Sequence, residues 1–120
     1  MFQKFEVRGV HASIDERLKN YAGKKIGGLD RYVSRHNRDS AHCIVELKVR
    51  KSKDHNNCLC EVSVHLPQET IVVKEQALNL YAAIDIVETK LKLQLKKYKE
   101  RHASGKLRRH LSARFSRKAT

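Results

Sequence analysis

No acidic residue follows Glu100, although 13 Asp and Glu side chains precede or occupy that point. Against them stand 26 Lys and Arg, for a net charge of +13 over 120 residues. Residues 1–102 carry +7 of this, and residues 103–120, with six bases and no acid, carry +6. Charge so one-sided attracts polyanions: nucleic acid, an anionic membrane or an acidic protein. Long apolar runs are missing too. LYAAI at 80–84 is far too short to span a bilayer, and the opening MFQKFEVRG lacks the apolar stretch of a signal peptide. Cysteine is limited to Cys43, Cys58 and Cys60, an odd number without an export signal. A reducing cytoplasm is therefore expected, and a disulfide framework is not. The length suits one domain with a single core, and no internal repeat is visible.

What is present reads as an α+β domain. FQKFEVRGV alternates as a first strand, with Phe5 and Val7 on one face. SIDE then has the form of a capping box, Ser13 as N-cap and Glu16 reaching back. On a helical wheel Ile14, Leu18, Ala22, Ile26, Leu29, Tyr32 and Val33 share one arc, which predicts a helix over about 14–29. Gly27 and Gly28 weaken its last turn by roughly 1 kcal/mol each relative to Ala. Residues 34–40 read as a polar loop. AHCIVELKVRK and CLCEVSVHL alternate as two strands joined by the turn DHNN, with Cys43, Val45, Leu47 and Val49 on one inner face and Cys58, Cys60, Val62, Val64 and Leu66 on the other. TIVVKE makes a fourth strand, and Asn79 caps a helix running to Arg101. The predicted order is β-α-β-β-β-α, with two helices packed on one face of a four-stranded sheet. The domain spans 1–102, and 103–120 is expected to be a basic, disordered tail.

Signs of catalysis are sparse. Cys58 and Cys60 share the core face of a strand, where cysteine acts as a small hydrophobe; a zinc site would need ligands such as Cys43, His42 or His55 in an irregular spacing. The seven histidines have no fixed-spacing partner, the carboxylates are dispersed, and Gly27–Gly28 ends a helix instead of opening one. Neither an enzyme, a cofactor, a metal nor a small-molecule substrate is expected.

The positive charge has a pattern. On the second helix Leu80, Ile84, Val87, Leu91, Leu95 and Tyr98 form the buried stripe, with Lys90, Lys97 and Arg101 on one flank and Lys92, Lys96 and Lys99 on the other. Arg17, Lys24 and Arg31 recur every seven residues on the first helix. For a single lysine the plain reading is a solvated face favoured by the helix dipole. The ensemble, uninterrupted by acid beyond Glu100, points instead to phosphate contacts. Ile86 and Leu93 lie opposite the core stripe. In the tail, Leu107, Leu111 and Phe115 are four apart among five bases. That segment suits an amphipathic helix on RNA, with Phe115 stacking on a base, or one on an anionic membrane, or a floppy solubilising extension.

NLYAAIDIVETKLKLQLKKYKER, with YAAID at Tyr81–Asp85, KL at Lys90–Leu91 and QL-K at Gln94–Lys97, resembles the ribosome hibernation-promoting factors. These are also called ribosome-associated inhibitor A or protein Y, and formerly sigma-54 modulation proteins. The spacing of Ile14, Leu18, Tyr21, Lys25, Leu29 and Tyr32 fits the same family, so the resemblance covers 1–101. It implies a fold similar to double-stranded-RNA-binding domains. It also implies binding to the small ribosomal subunit where mRNA and tRNA meet, inhibiting translation in idle cells. The family's RNA-contacting bases map onto Lys25, Lys90 and Lys97, to which the wheel adds Arg17, Lys24, Arg31, Lys92, Lys96, Lys99 and Arg101. Leu93 and Gly28 stand where the family often has a base. The chain looks like a short member, a monomer off the ribosome that does not pair ribosomes by itself. The alternative is a general double-stranded-RNA-binding module without ribosome specificity.

Overall fold

The computed structural model describes residues 2, 4–10, 12–51 and 56–101. The turn at 54–57 lies partly outside these residues, and the basic tail with Leu107, Leu111 and Phe115 lies wholly outside them. Strand β1 (Lys4–Val10) leads into helix α1 (Glu16–Lys25), a 3-10 segment (Gly27–Tyr32) and one helical turn, α2 (Arg35–Arg38). Strands β2 (His42–Lys51), β3 (Asn56–His65) and β4 (Thr70–Ala77) follow, and the long helix α3 (Leu80–Arg101) closes the domain. The sheet has the order β1-β2-β3-β4, with β1 parallel to β2 and the other pairs antiparallel. A parallel pair needs a crossover, and the segment containing α1 supplies it.

Alternation along each strand sends one set of side chains to a common face. Cross-strand partners keep the parity: Cys43 lies opposite Val64, Val45 opposite Val62 and Leu47 opposite Cys60, while Val62 and Val64 meet Val73 and Ile71. All eight are buried. Over them pack Leu18 and Ala22 of α1, then Ile26, Leu29 and Val33, and the α3 stripe Ala83, Ile84, Val87, Leu91, Leu95 and Tyr98. Each fully buried Leu, Ile or Val contributes about 1.5–3 kcal/mol from removal of apolar surface from water. Helix α3 lies over β3 and β4, with α1 and the 3-10 segment beside it on the β1 side. The expected face-sharing of the two long helices therefore holds.

Three local expectations are corrected. The N-cap of α1 is Asp15, not Ser13: its carboxylate accepts the Leu18 N–H at 2.8 Å, and α1 starts at Glu16. A cap at 15 lets the connection from β1 run two residues farther before helix begins. The α-helix also stops at Lys25, short of the expected 29, and the glycine pair continues as 3-10, with Leu29 N–H bonded to the Ile26 carbonyl at 3.0 Å. Glycine's backbone freedom weakens the α-conformation at this point. Finally, the polar stretch 34–40 contains α2, closed by the Asn37 and Arg38 N–H groups on the Ser34 carbonyl and by Arg38 Nε on the Val33 carbonyl.

Gly9 marks the tightest approach. A Cβ there would sit 2.5 Å from the Ala12 carbonyl oxygen and 2.9 Å from the Ile14 side chain, so the chain entering α1 folds directly over it. The opposite sheet face is of mixed charge. Glu46 and Glu61 are cross-strand partners, flanked in register by Arg8 and Lys74, and Lys48 pairs with Glu46 at 3.6 Å.

Candidate nucleic-acid interface

Helix α3 presents three long faces. Its apolar stripe enters the core. A second face looks toward β4, where Lys90 pairs with Glu75 and Arg101 with Glu69. The third looks toward α1 and the 3-10 segment, and along it run Asp85 and Glu88, then Lys92, Lys96 and Lys99, acid toward the helix N-terminus and base toward the C-terminus as the macrodipole favours.

The acidic half of this seam is locked to α1. Tyr21 donates its hydroxyl to Asp85 Oδ1 at 2.5 Å and meets the Tyr81 ring edge-on at 4.9 Å between centroids. The hydrogen bond to Asp85, with the charges of Asp85 and Glu88 nearby, pushes the Tyr21 phenol up to about 12. Lys25 lies over the Tyr21 ring at 5.7 Å. The basic half closes on Tyr32: Arg31, Lys92 and Lys96 have their charged ends 5.1, 5.5 and 5.6 Å from its ring centroid. Arg31 also donates to the Tyr32 hydroxyl at 3.4 Å. Hydrogen bonds from Arg31 and then Lys92 lower the Tyr32 pKa, because they favour the phenolate. At the far end Tyr98, half tied to α2 by Asn37 at 3.3 Å and to Gln68 through its hydroxyl, has its phenol raised by burial and by Glu69.

The structure thus sorts the ten candidate bases. Lys25, Arg31, Lys92 and Lys96 converge on the α1–α3 seam. Among the described residues none of these four forms a salt bridge, whereas Lys90 and Arg101 on the β4 side do. Lys97 and Lys99 are exposed near the end of α3, and Arg17 is exposed in the first turn of α1. Lys24 lines a shallow groove with Phe5, Val7, Glu16, Lys19, Asn20 and Gly23, on the side of α1 away from the seam. The heptad spacing of Arg17, Lys24 and Arg31 does not survive as one stripe, because α1 ends between the second and third of them. Tyr21, Tyr32 and Asp85 organise the seam and were absent from the sequence-based site. Their signal was weak: at positions 21 and 32 a tyrosine fits a buried arc as well as a contact surface.

Leu93 is 54% exposed and stands next to Lys92 on α3. Gly28 has nothing within 4 Å of a would-be Cβ, so a larger residue fits there. The cysteines are free and buried, and burial pushes the thiols of Cys43 and Cys60 up to about 12, away from the thiolate form that nucleophiles and metal ligands need. Cys58 donates to the Leu78 carbonyl at 3.7 Å. Among the described residues no three His, Cys, Asp or Glu side chains are grouped for a metal ion, and no helix is long and apolar enough to cross a membrane.

The seam thus has an acidic end at Tyr21 and a basic end at Tyr32, on the side of the sheet opposite its mixed-charge face. A family model described as "Sigma 54 modulation protein / S30EA ribosomal protein" matches residues 5–103. The chain belongs to that family. A relative from Staphylococcus aureus (strain COL), named "Ribosome hibernation promotion factor", is 32% identical over 100 residues, 82% of this chain and 49% of the relative. The chain spans about half the length of that curated relative. Among solved structures, the Thermus thermophilus Protein Y N-terminal domain superposes with a TM-score of 0.61 at 28% identity, covering 78% of this chain and 94% of that one. A ribosomal subunit interface protein from Coxiella burnetii, 24% identical, has a TM-score of 0.65 over 81% of this chain and 98% of its own, which speaks to the fold.

Proposed function

We propose that this domain is a ribosome hibernation factor: it docks its helical side on small-subunit rRNA in the mRNA and tRNA channel and inhibits translation in idle cells. The carrying observation is the segregation of charge. Arg31, Lys92 and Lys96 converge on Tyr32 and Lys25 lies over Tyr21, and among the described residues none of the four is salt-bridged to a carboxylate, while the sheet's outer face mixes both signs. The family and the name of the Staphylococcus relative support the same reading. Action is by occupancy, without turnover, cofactor or small-molecule substrate. The molecule works in the cytoplasm and is monomeric when off the ribosome. Contacts are mainly to phosphates, which position the protein on a shaped RNA surface without reading base sequence.

Co-sedimentation with vacant small subunits tests this. Charge reversal at Lys92 with Lys96, or at Lys90 with Lys97, is expected to weaken association roughly tenfold or more, by loss of two phosphate contacts. Reversal at Lys48, on the outer face, is expected to change it little. Equal losses would mean that bulk charge alone drives binding. Competition by a naked RNA duplex as effective as competition by subunits would favour a general duplex-binding module instead.

A further inference from the structure

Three cations gathered around one ring repel one another, so something must hold them together. We infer that Tyr32 is the positioning residue that assembles Arg31, Lys92 and Lys96 into a single phosphate-binding cluster, bridging the 3-10 segment and α3. The inference rests on the RNA-docking reading above and deepens it by naming a subsite and its organiser.

The geometry supplies the means. All three charges lie within 5.6 Å of the Tyr32 centroid, where the negative π-face attracts them. The phenol oxygen adds a hydrogen-bond acceptor for Arg31 at 3.4 Å. Lys92 and Lys96 are four apart on α3, hence neighbours on one face. Arg31 reaches them because the glycine pair turns α1 into 3-10 just before it. Among the described residues no carboxylate forms a salt bridge with any of the three, in contrast to Lys90 with Glu75 and Arg101 with Glu69. The cations are therefore preassembled and not neutralised, which is what a phosphate requires. An approaching phosphate relieves their mutual repulsion, while the ring faces are already taken by cations, so Tyr32 acts through its neighbours and not by stacking on a base.

The distinguishing readout is the salt dependence of binding. Each phosphate contact contributes roughly 0.7–0.9 to the slope of log K against log salt. Affinity of the full chain for vacant small subunits is measured across a salt series for wild type, Tyr32→Phe, Tyr32→Ala and Lys92→Gln/Lys96→Gln, each checked by thermal melting. The double variant is expected to lower the slope by about 1.4–1.8, one phosphate contact per lysine. Tyr32→Ala is expected to lower it by about 1, although tyrosine carries no charge, and Tyr32→Phe to keep it. In parallel, inorganic phosphate is titrated into the free protein while the lysine side-chain NMR signals are followed. Lys92 and Lys96 are expected to shift in wild type and in Tyr32→Phe, and far less in Tyr32→Ala.

An unchanged slope in Tyr32→Ala, or an undiminished phosphate response, overturns the inference. So does an affinity loss at constant slope, which would make Tyr32 a direct stacking contact. If Tyr32→Ala fails to fold, Lys92→Gln and Lys96→Gln made singly decide whether the two act as one site: the remaining lysine is expected to lose most of its phosphate response, and an undiminished response overturns the inference. Should wild type ignore subunits yet show the Tyr32-dependent phosphate response, the ribosome reading falls and the cluster stands.

Discussion

Tyr21 donates to Asp85, and that single bond ties α1 to the start of α3. Because the bond requires the protonated phenol, folding raises the Tyr21 pKa from 10.0 to about 12. Its contribution to stability is fully present below pH 10 and drains away as the pH climbs toward about 12. Spectroscopic titration should show a late phase to which Tyr21 and the buried Tyr98 both contribute, and Tyr21→Phe should reduce it by one tyrosine; an undiminished late phase in the variant would reassign the shift. Tyr32, held by Arg31 and Lys92, should ionise before it. At the head of α1, Asp15→Ala should lower stability by about 1 kcal/mol in denaturant unfolding, through loss of the bond to Leu18 N–H. Ser13→Ala, at an exposed residue that is not the cap, should leave the midpoint within experimental error.

At the scale of the element, the 3-10 segment is the piece that gives the seam its shape. Were α1 to continue unbroken past Lys25, Arg31 would follow the heptad line of Arg17 and Lys24 and face away from α3. The glycine pair prevents that, yet Gly28 itself has empty space around its Cβ position and a φ outside the left-handed region. Gly28→Ala should therefore stabilise the domain by about 0.4–1 kcal/mol, by reducing the freedom of the unfolded chain. Gly28→Lys should add a steeper salt dependence of RNA binding, by roughly 0.7–0.9 in slope. A destabilised Gly28→Ala would show that the 3-10 geometry demands glycine. Helix α3 answers to a different constraint: its buried stripe is anchored by Leu91 and Leu95, both 0% exposed. Leu91→Ala should cost about 2–5 kcal/mol in denaturant unfolding, transfer and cavity together.

Considered whole, the molecule separates stability from charge. Among the described residues the core runs in sequence from Phe2 to Tyr98, while +6 of the +13 net charge lies in 103–120. Removing residues 103–120 should leave the thermal midpoint nearly unchanged. It should also lower the salt slope of RNA binding, by at most about 0.9 for each of the six bases removed. A shifted midpoint would mean that the tail packs on the core. An unchanged slope would mean that its bases touch no phosphate.

The strands, the long helices and the inner faces were legible in the sequence because period 2 and period 3.6 report burial directly: Cys60, Val62 and Val64, or Ile84, Val87 and Leu91, could face only inward. YAAID with its basic continuation likewise carried the family. What the sequence could not settle was which lysines meet. Periodicity orders side chains around one helix and is silent about the neighbour each flank faces. Lys90 and Lys92 are two residues apart, and packing sends one to Glu75 on β4 and the other to Tyr32. The end of α1 was equally hidden, since 3-10 and α continuations of GGLDRY bury nearly the same residues. Composition and pattern determined a basic, two-helix, four-strand domain; only the packing of α3 beside the 3-10 segment decided which of its cations meet, because that depends on which surfaces the core brings side by side.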